Sequence, residues 1–209
     1  VNLRPLHFAL SAALALFTSC VAPPPSAPWI ELFDGRSLRG FAVTDFGGQG
    51  EVAVEDGAIE FDFGTPLTGL TWTGAPPRGD YDLEVTAARV EGTDFFCGLT
   101  FPVHDAHLTL VLGGGVGSLC GISSLDGEDA SSNETRTLRR FEEGRDYRVL
   151  LRVRQDHLEV DLDGAPLLRA ALEGRALSLR PEVELSRPLG IASFGTRARV
   201  RALRWRPAR

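Results

Sequence analysis

TDFFCGLTFPVHDAHLTLVLGGGVGSLCGISSLDGEDASSNET, residues 93–135, alternates apolar and polar side chains, is punctuated by glycine, and runs out into a polar, acidic loop. Alternation with period two puts successive side chains on opposite faces of a strand, so the segment reads as consecutive β-strands with one buried face. A two-residue turn at Asp105-Ala106 sets a register for the first hairpin, pairing Val103 with Leu108, Phe101 with Leu110 and Leu99 with Leu112. All six are apolar, as a core face requires. The opposite face then carries Thr100, Pro102, His104, His107, Thr109 and Val111, with His104 directly across from His107. That face is the candidate ligand surface, overhung by the acidic loop.

The same pattern continues on both sides. Runs at 52–54, 58–63, 81–90, 95–103, 108–112, 119–123, 135–141, 147–154, 157–162, 189–194 and 200–205 are separated by turn signals such as Asp56-Gly57, Gln155-Asp156 and Asp163-Gly164. No apolar run keeps a 3.6-residue period over a dozen residues. Many short strands with this spacing predict an all-β, two-sheet sandwich, mostly antiparallel. Gln155-Asp156 and Asp163-Gly164 join three strands into a meander in which Val149, Leu151 and Val153 face one way. No repeat or second domain is visible, and a folded part of this size can bury one sufficient core.

Composition removes several functions. The chain of 209 residues carries a formal charge of −6, with its basic residues dispersed, which gives no general attraction for nucleic acid. All 22 basic residues are arginine, so Schiff-base chemistry and a P-loop lysine are absent. Gly113-Gly114-Gly115-Val116-Gly117 lacks both the lysine and the helical crossover of a phosphate cradle. It reads instead as a place where the chain bends or approaches another backbone closely. The run Arg197-Ala198-Arg199-Val200-Arg201 reads as an edge strand with its arginines in solvent.

The start of the chain reads as an export signal: Arg4, an apolar run at 8–17, then Thr18-Ser19-Cys20. Val1 fits a bacterial start codon translated literally. A Cys after small residues at this point predicts that residues 1–20 are a lipoprotein-type signal ending in a lipobox, in which the Cys20 thiol is lipidated and Cys20 becomes the new N-terminus; ordinary cleavage and an uncleaved core segment are the alternatives. Residues 21–28 hold four prolines and suit a stiff tether. The folded domain is then 29–209, at the cell envelope, touching the membrane through its N-terminal lipid only. Export permits disulfides and leaves the pair Cys97 and Cys120, whose bridge contributes roughly 3 kcal/mol by chain entropy. Two separate buried thiols fit equally well, and the Cα separation decides.

Several residue types suit chemistry or binding. His104 and His107 in the register above could share a metal or supply a base. Asp126-Gly127-Glu128-Asp129 with Asn133-Glu134 offers oxygen ligands for a divalent cation such as calcium, and carboxylates for acid and base work; a solvated loop is the alternative. The candidate metal set is His104, His107 and Asp126. Among the aromatic residues Trp29, Trp72, Trp205, Tyr81 and Tyr147, Trp72 ahead of Gly74-Ala75-Pro76-Pro77 is the one expected to be exposed for stacking on a sugar.

Together with WIELFDGRSLRGF at 29–41 and VDLDGAPL at 160–167, the opening stretch resembles the 3-keto-disaccharide hydrolase family across roughly 29–207. The resemblance implies a concanavalin A-like, laminin-G-like jelly roll. It also implies a disaccharide or glycoside already oxidised to a ketone at C3. That ketone acidifies the C2 proton; a base removes it, the glycosidic C1–O bond breaks as the C1–C2 double bond forms, and water adds afterwards. On this chain the resemblance points to His107 or His104 as base and Glu134 as catalytic carboxylate. Trp72, Thr109, Asp126 and Asn133 are the expected substrate contacts. The family's Asn-Ser-Gly-type strand and following arginine are replaced by DFFCGLTF at 94–101, and its next acidic position falls on LTLV at 108–111. These departures point to the alternative, a non-catalytic laminin-G-like glycan-binding or adhesion module.

Overall fold

The computed structural model describes residues 27–208. The export-like segment, the lipidation position Cys20 and most of the proline-rich stretch lie outside the described residues. The elements are β1 (Ile30–Glu31), β2 (Phe41–Val43), β3 (Val52–Glu55), β4 (Ala58–Phe61), β5 (Leu67–Trp72), β6 (Tyr81–Gly92), β7 (Cys97–Val103), β8 (Ala106–Gly113), β9 (Leu119–Ser123), β10 (Thr137–Leu138), β11 (Tyr147–Val153), β12 (His157–Leu162), β13 (Ala165–Ala171), β14 (Gly190–Phe194) and β15 (Thr196–Pro207), with a 3-10 turn at Pro181–Ser186. One sheet runs β13-β12-β11-β6-β15-β4-β3, with β1 alongside β15, and the other runs β10-β9-β8-β7-β14-β5-β2. All the pairings are antiparallel.

Alternation builds the core between the sheets. Leu83, Val85 and Ala87 of β6 and Val149, Leu151 and Val153 of β11 meet Leu99, Phe101, Leu110, Leu112 and Ile122 of the facing sheet in one buried cluster. Tyr81 crosses the layer, donating its hydroxyl to the Pro102 carbonyl at 2.6 Å. The β11–β12–β13 meander forms as the sequence predicts. Asp163 and Gly164 both take positive φ, which matches the twist of the flanking strands.

The β7–β8 hairpin differs from its predicted register. The turn is His104-Asp105, so Val103 faces Ala106, Phe101 faces Leu108 and Leu99 faces Leu110. His104 has φ +52°, a conformation in which histidine is among the few tolerated non-glycine residues. The offset is two residues, so every side chain keeps its predicted face while the partners change. His104 therefore does not stand across from His107, which pairs with Pro102.

β15 is a second correction. It is an interior strand paired with β6, β4 and β1, and its arginines have partners. On the outer face, buried Glu84 lies between Arg148 at 2.8 Å and Arg204 at 2.7 Å. Asp82 lies between Arg154 at 2.7 Å and Arg206 at 2.9 Å. Of the arginines expected in solvent, Arg197 pairs with Asp62 at 3.1 Å, and Arg199 and Arg201 both pair with Asp146, at 3.1 and 2.9 Å.

Cys97 and Cys120 are both free and buried. They sit in one cross-strand row with Leu112 of β8 between them, two strands apart. Two interstrand steps give a Cα separation of about 10 Å, beyond the reach of a disulfide. Burial pushes the thiols up to about 12 for Cys97 and about 11 for Cys120. Alkylation of the native protein is therefore expected to leave both unmodified, and alkylation in denaturant without reductant to label both, as intact-mass measurement would show.

Candidate functional site

The outer face of the seven-stranded sheet is paved with small side chains. One cross-strand row reads Ser123, Thr109, Thr100, Gly190, Thr71, and the next Gly121, Val111, Gly98, Ala192, Gly69. Small residues here let other chain segments lie flat on the sheet. A Cβ on Gly121 would stand 2.9 Å from Ala130 of the acidic loop, one on Gly98 2.7 Å from the Phe95 ring, and one on Gly190 2.6 Å from the Ser186 carbonyl. The acidic loop thus overhangs the face carrying His107 and Thr109.

Between these coverings remains a cleft of about 320 Å³. Thr109, Val111 and Ser123 form its floor, and the Thr109 hydroxyl is 3.0 Å from that of Thr100. One wall holds the half-buried rings of Phe95 and Phe194, with centroids 5.5 Å apart. Asp94 stands beside them, its Oδ1 accepting the Phe95 amide at 2.7 Å. The other wall is a charged chain. Arg180 Nη1 donates to Asp129 Oδ2 at 2.8 Å and its Nε to Glu182 Oε1 at 2.7 Å.

The electrostatics favour acceptors over acids. The Ser131 hydroxyl, then the Ser131 amide, hold Asp129 below the usual carboxylate range. Burial works against ionisation of Glu182, but its own backbone amide and Arg180 outweigh it and the carboxyl is also lowered. Carboxylates lowered in this way stay charged as pH falls, and give up their folded-state pairing only below the unfolded value near about 4. A glycosidase general acid needs the reverse shift.

The predicted residues separate into several places. Thr109 lines the cleft. His107 is half-buried on the same face, held below the usual imidazole range by burial and by Arg187, against the opposing pull of Glu184. His104 is exposed at the turn, with Nε2 2.9 Å from the Gln155 carbonyl at the β11–β12 turn. Asp126 and Glu134 both bind Arg175, and Asp126 also accepts the Ala176 amide at 2.7 Å. They clamp the acidic loop to the chain after β13 and do not line the cleft. Asn133 is buried: its Nδ2 donates to the carbonyls of Ile122, Glu128 and Asp129, and its Oδ1 accepts from the Thr135 amide and hydroxyl. It is an internal brace and not a substrate contact. Trp72 lies against Gly40, Gly74 and Phe41, its Nε1 donating to the Ala75 carbonyl at 3.2 Å. Its face is filled by the protein itself.

The expected metal set is not assembled. His104 lies on the Gln155 carbonyl, and the carboxylates Asp126, Asp129 and Glu134 are paired with arginine. Among the described residues no group of three or more His, Cys, Asp or Glu converges as a metal site, so the residues do not fit a calcium site at the loop.

Sequence reasoning missed Asp94, Phe95, Phe194, Arg180 and Glu182. Phe95-Phe96 held a usable signal, since adjacent aromatics entering a strand must face opposite sides: Phe96 is buried in the core and Phe95 lies on the outer face. Residues 177–188 carry no periodic pattern to place them.

No protein-family model matches the chain, and no curated protein matches it. Solved structures do. The chain is similar to a Crh5 transglycosylase in complex with NAG, with TM-score 0.60, 12% identity, and coverage of 90% of this chain and 88% of that one. It is similar to the Emp46p carbohydrate recognition domain at TM-score 0.55 and 12% identity, covering 87% and 95%. It is also similar to a carbohydrate esterase from a Shiga toxin-encoding bacteriophage at TM-score 0.59 and 10% identity, covering 88% and 99%. The fold is the all-β, two-sheet antiparallel sandwich of the concanavalin A-like class, which it shares with carbohydrate-active structures.

Proposed function

We propose that this is a carbohydrate-binding protein whose ligand lies in the cleft on the outer face of the seven-stranded sheet. The observation that carries the reading is the pair of half-buried rings, Phe95 and Phe194, beside hydroxyls and ionised carboxylates. Rings accept the apolar C–H face of a pyranose, and fixed acceptors orient its hydroxyls. Neighbours that include a transglycosylase, a recognition domain and an esterase support carbohydrate as the ligand class while leaving the chemistry open, because function resides in sites grafted onto folds. With the export-like start of the chain and Cys20, the reading extends to a lipid-anchored protein that meets glycans at the cell envelope.

A second reading, cleavage of 3-keto-glycosides by elimination and hydration, rests on the sequence resemblance and on His107. Burial and Arg187 lower the imidazole below its usual range and so favour its neutral form, the form a base needs. Calorimetry of the full chain with neutral oligosaccharides tests the first reading. Chromatography after incubation with a 3-keto-disaccharide, with and without chelator, tests the second. The binding reading expects saturable heat without product. Product formation that is lost in His107→Ala would establish the enzyme, and absence of saturable binding to any oligosaccharide would defeat the first reading.

A further inference from the structure

Resting on that reading, we infer that the cleft selects sugar chains without acid groups and gains affinity from a protonated amine on the ligand. Three carboxylates, Asp94, Asp129 and Glu182, line it against one guanidinium, Arg180, a formal charge of −2. The single cation is already committed. Its Nη1 donates to Asp129, its Nε to Glu182, and its Nη2 lies 2.7 Å from the same Glu182 oxygen. An incoming uronate or sulfate would have to displace one of these pairs while facing the remaining carboxylates. Like charges brought together at a binding surface are a means of rejecting ligands, at little cost to the accepted one. Arg89 sits behind the glycine turn with its Nη2 on the carbonyls of Asp94, Gly113 and Gly117, and does not line the cleft. An ammonium on a sugar meets the opposite situation: the lining offers it carboxylate oxygens and no competing unpaired cation.

The test uses the full chain and three β-1,4-linked hexamers of one backbone: glucose, glucosamine and glucuronate. Calorimetry at about pH 6, where the amine is protonated, is run at about 20 mM and about 500 mM salt. At low salt the glucosamine hexamer is expected to bind at least about tenfold tighter than the glucuronate hexamer, with the neutral chain between them, and the spread is expected to shrink at high salt. The doubly neutralised variant Asp94→Asn with Glu182→Gln keeps the side-chain shapes, removes the net charge of the lining, and should bring the three affinities together. Glucuronate binding as tightly as glucose to the wild type overturns the selectivity and leaves the glycan reading standing. A spread that survives in the doubly neutralised variant also overturns it. Failure of all three hexamers to bind overturns the glycan reading together with the selectivity.

Discussion

Asn133→Ala is expected to lower the midpoint of thermal unfolding by about 6–12 °C, the equivalent of about 3 kcal/mol in a domain of this size. It is also expected to weaken ligand binding more than that loss of stability accounts for. The amide of Asn133 donates to three carbonyls and its oxygen accepts two donors from Thr135, whose hydroxyl in turn accepts the Ile122 amide at 2.8 Å. Truncation leaves buried peptide groups without partners, and an unmade buried hydrogen bond costs more than a made one contributes. Asn133→Asp is expected to fare no better, since it keeps the acceptor and aims a carboxylate at three carbonyls. The knot also fixes the acidic loop as a wall of the cleft. A core truncation such as Leu110→Ala removes about 3 kcal/mol by leaving a cavity, and should spare binding well below its melting temperature. Comparing the two by thermal denaturation and calorimetry separates loss of the wall from loss of stability in general.

Phe95→Ala carries the largest expected effect on binding, a weakening of about thirty- to hundredfold for a neutral oligosaccharide, or about 2–3 kcal/mol. The ring packs over Gly98 and against Phe194, so it is held in place before the ligand arrives. Preorganised aromatic surface binds with little loss of side-chain entropy. Because the ring is half-buried and packs on the smaller cluster of Leu67, Val183 and Ala192 outside the main core, the melting temperature should fall less than for Leu110→Ala. Phe95→Leu should recover stability fully and affinity only in part. An unchanged affinity in a folded Phe95→Ala protein would remove the ring pair from the binding account.

What the sequence makes legible follows from which physical signals are local. Inside-outside alternation over 97–112 and 147–162 is local, and both the sandwich and the face bearing Thr109 and His107 can be read from it. The Asp163-Gly164 turn has a backbone requirement visible in its two residues. The His104-Asp105 turn does not advertise itself, because histidine is an uncommon occupant of positive φ and Asp105-Ala106 looks as good. Pairings between distant segments are not written locally at all. Glu134 and Asp126 look like a catalytic or metal-binding loop until Arg175 is brought to them, and Arg199 and Arg201 of β15 look solvated until Asp146 lies beside them. The cleft itself is built from five separate stretches of chain, so the glycines at 98 and 121, which mark where a covering segment lands, were its clearest trace.

The claim that the ligand occupies the outer face of the seven-stranded sheet is tested most directly by hydrogen-exchange footprinting of the full chain with saturating neutral oligosaccharide. Protection is predicted at 94–96, 109–115, 128–131 and 180–183, with none at the arginine-carboxylate face formed by β6, β11 and β15. Protection confined to that opposite face, or to the His104 turn, would contradict the account.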